Sequence, residues 1–269
     1  MTDIVFDIGG TNMRVARIAS NGTLEDIVAR PTPQTKEDGL KQLKSLCHTQ
    51  AGGKPIEYIA GGLAGILEHG SGVLLRSPNL SKWEGVSLEE ELRKEFGASV
   101  KVANDTALGA LGEARRGAGQ GYEIVAYLAV GTGVGGARVV RGSIDETAFG
   151  FEPGHQIIQY ETGESLENLV GGRSVQKKMG MAPGSITDPV VWEAVAKTFA
   201  VGVVNTIVHW SPHVVVLGGS MVTDGNGISV AMVQEEVTRL LHAFPRVPEI
   251  KRADIGGSSV LLGAVEYLS

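Results

Sequence analysis

Apolar positions along this chain follow two rhythms: short β-favouring runs that stop at glycine pairs, and longer runs with helical spacing. In Asp3-Ile-Val-Phe-Asp-Ile-Gly-Gly-Thr-Asn-Met-Arg-Val-Ala-Arg-Ile18, β-favouring residues flank two glycines, the pattern of strand, tight turn, strand. The pattern returns as Glu123 to Val130, then Gly131-Thr-Gly-Val-Gly-Gly136, then Ala137 to Val140. Strands are also expected at Ile56 to Ala60, Val100 to Ala103, His213 to Leu217 and near Ile250. Among helices, Leu40, Leu43, Leu46 and Cys47 recur at helical spacing between Asp38 and Gln50, and Gly52-Gly53 ends the run. Ser87 opens a second helix, with Glu90 at capping-box spacing. Thr106 to Arg116 carries a buried stripe of Ala107, Leu108, Leu111 and Ala114, and Val170 to Met179 reads as another helix. Asp188-Pro189 starts a long helix to Trp210 with Trp192, Val195, Phe199 and Val203 on one side. Ile228 to Ala243 and Ser258 to Tyr267 complete the set.

Composition narrows the function. The 269 residues suffice for one large domain or two modest ones, and a formal net charge of −6 leaves no basic footprint for nucleic acid. Cys47 is the single cysteine, which excludes an internal disulfide and any multi-cysteine zinc site and fits a reducing cytoplasm. No signal peptide is expected before the first strand, and no apolar run is expected to be long enough to span a membrane.

The glycine turns carry the first chemical signal. Glycines let a backbone approach a ligand closely and aim N–H groups at it, which suits a phosphate, and Asp7 at the end of the first strand is suited to magnesium. An ordinary hairpin with an incidental acid is the alternative. The residues Gly131 to Gly136 satisfy G-x-G-x-x-G, but a dinucleotide fingerprint needs a helix after the glycines and this segment continues as strand; no P-loop sequence is present. Two copies of one phosphate-compatible turn point to two related halves facing one ligand. Asn104-Asp105 lies between them, at a strand-to-helix junction where an acid serves as an N-cap or as a reactive group.

Together these segments resemble the ROK family of sugar kinases, within the ATPase superfamily that includes actin, hexokinase and the heat-shock chaperone ATPases. Asp7-Ile-Gly-Gly-Thr-Asn12 is similar to the family's first phosphate motif, Gly131 to Gly136 to the second, and Val214 to Ser220 to the adenosine motif. Ser77-Pro-Asn-Leu80 with Trp83 resembles the sugar loop of family glucokinases. The resemblance implies ATP and Mg²⁺, with Asp7, Gly9, Gly10, Thr11, Asn12, Thr132, Gly133, Gly218 and Gly219 on the nucleotide side and Asp7 reaching the metal through water. It implies Asp105 as the base that takes the proton of the sugar hydroxyl, and Gly65, Asn79, Asn104, Asp105, Glu152, His155 and Glu167 as sugar contacts. After Glu152-Pro-Gly-His155 the family carries a cysteine-rich zinc loop. Here the segment is shorter and lacks cysteine, so zinc is not expected and Glu167 is left to be positioned by packing alone.

The implied fold is α/β: a two-domain actin-like ATPase (ribonuclease H-like) fold with mixed sheets and a central cleft that closes on sugar and ATP. The small domain would take residues 1–104 with the C-terminal helix 255–269, and the large domain residues 105–254. The implied activity is an ATP-dependent hexokinase, glucose to glucose 6-phosphate, with fructose, mannose and N-acetylhexosamines as alternative substrates. The implied protein is a cytoplasmic homodimer without nucleic-acid or membrane partners. A non-catalytic sugar sensor is the competitor of another class, since some family members are repressors carrying an N-terminal helix-turn-helix domain that this chain does not show.

Overall fold

The computed structural model describes residues 1–268; Ser269, the last residue of the expected C-terminal helix, lies outside the described residues. The chain divides into two compact units. Met1–Arg115, Glu146–Gly150 and the segment from Ser258 onward form the first, and Arg116–Asp145 with Phe151–Gly257 forms the second.

Each unit is built on a five-stranded mixed sheet. The first contains β1 (Thr2–Ile8), β2 (Asn12–Ile18), β3 (Leu24–Pro31), β4 (Ile56–Leu63) and β5 (Ser99–Asn104), in the order β3-β2-β1-β4-β5. The second contains β6 (Ile124–Val130), β7 (Val134–Val140), β8 (Ser143–Ile144), β9 (Val214–Gly218) and β10 (Glu249–Arg252), in the order β8-β7-β6-β9-β10. In both, the first three strands form an antiparallel meander, the fourth pairs parallel to the first, and the fifth pairs parallel to the fourth. The repeated glycine turn is therefore part of a repeated sheet. β1 and β9 carry near-continuous apolar runs, and their residues are almost all buried, as befits strands inside parallel pairs. β3 lies at a sheet edge, half-exposed, and its Leu-Glu-Asp-Ile-Val-Ala-Arg-Pro sequence has no clean alternation, which is why hydrophobic pattern does not announce it.

Local chemistry sets the helix ends. α1 (Lys36–Ala51) begins where Thr35 accepts the Asp38 N–H and ends at Gly52 in the left-handed region, φ 57°. α2 (Leu88–Phe96) begins where Ser87 accepts the Glu90 N–H at 3.3 Å, as the capping spacing predicts. α3 (Asp105–Arg116) follows β5 directly. The helix expected over Val170 to Met179 is two helices, α4 (Leu166–Val170) and α5 (Gly172–Met179), because Gly171 leaves helical geometry with ψ 144°. α6 (Pro189–Trp210), α7 (Val230–Leu240) and α8 (Ser259–Leu268) complete the described helices. α6 corrects one expectation: with 22 residues it is long and apolar enough, by length and composition, to cross a membrane. Its Trp192, Val195, Phe199 and Val203 are nevertheless buried in the core of the second unit, and Asp188 caps its start.

α8 belongs to the first unit, where it packs on α3 through two glycines. A methyl group at Gly263 would overlap the Leu108 carbonyl, and one at Gly112 would overlap the Ser259 carbonyl. Backbone on both sides prevents relief by a rotamer change. Gly263→Ala is therefore expected to cost at least about 2 kcal/mol in urea unfolding. Gly184→Ala, where a methyl meets open space, is expected to stay within about 0.5 kcal/mol of the parent.

Candidate active site

In the first unit the candidate residues gather at the carboxyl ends of β1, β4 and β5. Asp7 on β1 is only 5% exposed and lies opposite Arg14 in the β1–β2 register; Arg14 Nη2 is 3.3 Å from Asp7 Oδ2. Burial pushes the Asp7 carboxyl up to about 7, against the pull of the Arg14 guanidinium and with a further push from the charge of Asp105. Asp105 opens α3, and its own proton affinity is also raised by burial, partly offset by hydrogen bonds from the Thr106 N–H (2.7 Å) and hydroxyl (3.3 Å) to Oδ1. The helix cap falls to its neighbour. Asn104 Oδ1 accepts the Ala107 N–H at 3.0 Å while Asn104 Nδ2 donates to the Gly65 carbonyl at 3.0 Å. Asp105 is thereby relieved of capping, and Gly65 serves the site by holding Asn104.

The turn after β1 has its carbonyls fastened to the protein. Gly9 O accepts the Thr32 hydroxyl, Gly10 O the Gln34 side-chain amide, Thr11 O the Thr32 N–H, and Asn12 O the Gly9 N–H. Among the described residues, the N–H groups of Gly10 and Thr11 meet no acceptor, so the turn presents donors. Asn79 is exposed and sits directly against Gly10, where any larger residue would collide with its Cβ. Trp83, by contrast, is fully buried, and its indole N–H donates to the Pro33 carbonyl at 3.0 Å. It pins the Thr32–Gln34 strap that holds the turn.

The second unit repeats the device with different parts. Gly131 N–H closes on Gly133 O at 2.9 Å, Gly131 O accepts the Gly172 N–H, and Thr132 O accepts the Arg173 N–H at the start of α5. The N–H groups of Thr132 and Gly133 remain without an acceptor among the described residues. Glu167 sits behind this turn: its Oε2 accepts the Val134 N–H at 2.8 Å and presses on Gly133. The expectation that packing alone positions Glu167 is thus corrected, because a backbone hydrogen bond holds it. Glu152 and His155 flank a short 3₁₀ turn and are both well exposed, with His155 Nε2 3.9 Å from Glu152 Oε2. Gly154 of that turn packs on the Val134 carbonyl, so Glu167 and the Glu152–His155 turn share Val134 as their seat. Gly218 and Gly219 close the end of β9 against Tyr127 and the Val130 backbone, contacts that already require glycine there.

Arg14, Thr32, Gln34 and Val134 are the site-shaping residues that sequence reasoning does not find. Only Arg14 leaves a signal, since a tight turn centred on Gly10–Thr11 sets Asp7 opposite it.

Two repeated mixed sheets, each presenting a glycine turn whose N–H donors meet no acceptor among the described residues, define a two-domain actin-like α/β fold. A model of the ROK family matches residues 4–268, and the chain belongs to that family. A glucokinase of Thermotoga maritima is 23% identical over 302 residues, covering 97% of this chain and 95% of the enzyme. A xylose repressor of Caldicellulosiruptor bescii is 29% identical over 203 residues, covering 61% of this chain and 50% of the repressor. Among solved structures, a ROK family glucokinase from Streptomyces griseus in complex with glucose and AMPPNP superposes with a TM-score of 0.82 at 23% identity, covering 99% of both chains.

The environment of Asp7 yields a pH signature. An unfolded aspartate ionises near 3.8, whereas folded Asp7 keeps its proton to about 7, so folding takes up a proton between those values and stability falls as pH rises through them. Asp7→Asn is accordingly expected to stabilise the ligand-free, Mg²⁺-free protein by about 2–4 kcal/mol at pH 8 and by far less near pH 4, measured by urea unfolding. Equal stability at pH 8 would contradict the assignment.

Proposed function

We propose that this chain is an ATP-dependent sugar kinase that phosphorylates a hexose hydroxyl, with glucose to glucose 6-phosphate as the favoured reaction. The observation that carries the reading is Asp105: a part-buried carboxylate of raised proton affinity, freed from capping by Asn104, in the same unit as a turn with unused N–H donors. Phosphoryl transfer demands mostly positioning and charge stabilisation. The N–H groups of Gly10 and Thr11, and of Thr132 and Gly133, supply donors for phosphate oxygens. Asp105 accepts the proton of the sugar hydroxyl, and a carboxylate with raised proton affinity is the better base for it.

Asn104 retains one amide hydrogen and acceptor capacity beyond its two internal bonds, enough to orient a sugar hydroxyl. Asn79 carries an exposed amide, and Glu152, His155 and Glu167 of the second unit are polar groups suited to sugar hydroxyls. Gly218 and Gly219 form the nucleotide's adenosine side. Relatives named glucokinase support glucose as the hexose. Cytoplasmic ATP and hexose pools supply both substrates.

Asp7 fits Mg²⁺, a hard cation that takes one or two carboxylates and leaves its remaining positions to phosphates and water. Bound there, the ion neutralises phosphate charge. The donor set does not fit zinc, because structural zinc takes four ligands, Glu152 and His155 provide two, and Cys47 is buried on α1 of the other unit. A second reading follows from the xylose repressor relative: a sugar sensor that binds without chemistry.

A coupled ADP-release assay over glucose, fructose, mannose and N-acetylhexosamines with Mg-ATP separates the two. Turnover is expected with glucose foremost; tight sugar binding with no turnover on any sugar would establish the sensor instead. Asp105→Asn is expected to bind sugar normally while kcat falls by about 10²–10⁴, and near-normal kcat would remove Asp105 from its role as base.

A further inference from the structure

Glu167 stands in an unusual position for a residue assigned to sugar. One carboxylate oxygen is spent on the Val134 N–H, 2.8 Å away, and the same oxygen presses against Gly133. Just beyond it in the chain, α4 ends at Gly171, whose N–H returns to the Glu167 carbonyl, and α5 starts by donating Gly172 N–H to Gly131 O and Arg173 N–H to Thr132 O. Residues 167–173 thus hold the turn at three successive points: two carbonyls fixed by the start of α5, and the amide after Gly133 fixed by a carboxylate. Only the carboxylate bond depends on a side chain that substitution can remove while the backbone bonds stay.

A charged acceptor on an amide forms a strong, directional bond. The Val134 N–H shares its peptide plane with the Gly133 carbonyl, which also accepts the Gly131 N–H, so the carboxylate holds that plane, and the Gly133 N–H lies one residue away. We propose that Glu167 is a positioning residue of the second glycine turn, orienting the Thr132 and Gly133 N–H groups toward the phosphates of the nucleotide. The proposal rests on the kinase reading. It gives Glu167 a role on the nucleotide side that a sugar contact does not require.

The test compares binding of Mg-AMPPNP and of glucose, by calorimetry, to the parent protein, Glu167→Gln and Glu167→Ala. Gln keeps an oxygen acceptor for the Val134 N–H, so its AMPPNP affinity is expected within about threefold of the parent. Ala removes the acceptor, and AMPPNP affinity is expected to fall by about tenfold or more, the scale of one lost charged hydrogen bond. Should Glu167→Ala not fold, Glu167→Asp, which withdraws the carboxylate by one methylene and keeps its charge, takes its place with the same expectation. Weakened glucose binding with unchanged AMPPNP affinity in the Ala or Asp variant would overturn the inference and leave the kinase reading intact. A parent protein that binds no Mg-AMPPNP would overturn both.

Discussion

Backbone carbonyls seek donors, and the donors packed against them shape both glycine turns. In each, the protein supplies a donor for every carbonyl, and two adjacent N–H groups have no acceptor among the described residues. In the first unit the donors come from the Thr32–Gln34 strap, and in the second from the first residues of α5. A carbonyl held inward fixes its peptide plane, and with it the N–H on the far side of the bond. The polarity of each turn is thus set by the chain packed behind it. The strap depends in turn on Trp83, whose indole holds Pro33, and on Gly39, which leaves room for that ring.

The carboxylates obey an opposite constraint. Asp7 and Asp105 are held where each raises its own affinity for protons, and the charge of Asp105 raises that of Asp7 further. Arg14 offsets part of the cost and remains partly open to solvent. An arrangement that favours stability alone would use neutral residues here. Keeping a buried acid paired with an arginine here, where a neutral residue would cost less, marks the end of β1 as a place kept for more than stability.

Most of the fold was legible because its strongest signals are local. Paired glycines between β-favouring runs marked both meander turns, apolar spacing and a closing glycine pair marked α1, capping residues marked α2 and α6, and the apolar β9 announced itself by composition. β3 escaped notice because an edge strand need bury little, and its charges disrupt any alternation. The break between α4 and α5 escaped because Gly171-Gly172 reads as a weak helix interior until its partner, the turn at Gly131, is known. The site was legible in its residue types and opaque in its bonds. Sequence pattern left two explanations for Asp105, cap or reactive acid, and only coordinates show Asn104 taking the cap. The strap residues Thr32 and Gln34, and Glu167's bond to Val134, pair across sequence separations that no periodicity encodes.

The contact between α3 and α8 has a consequence for how the molecule comes into being. α3 begins with Asp105, yet its glycine-matched partner at 259–268 follows the whole of the second unit in the chain. During synthesis the second unit can complete its sheet from residues already emerged, while the first waits with one flank of α3 uncovered. The helix that begins with Asp105 is covered last. A chain broken off between the second unit and α8 therefore carries both glycine turns and Asp105, but not the helix that packs against α3.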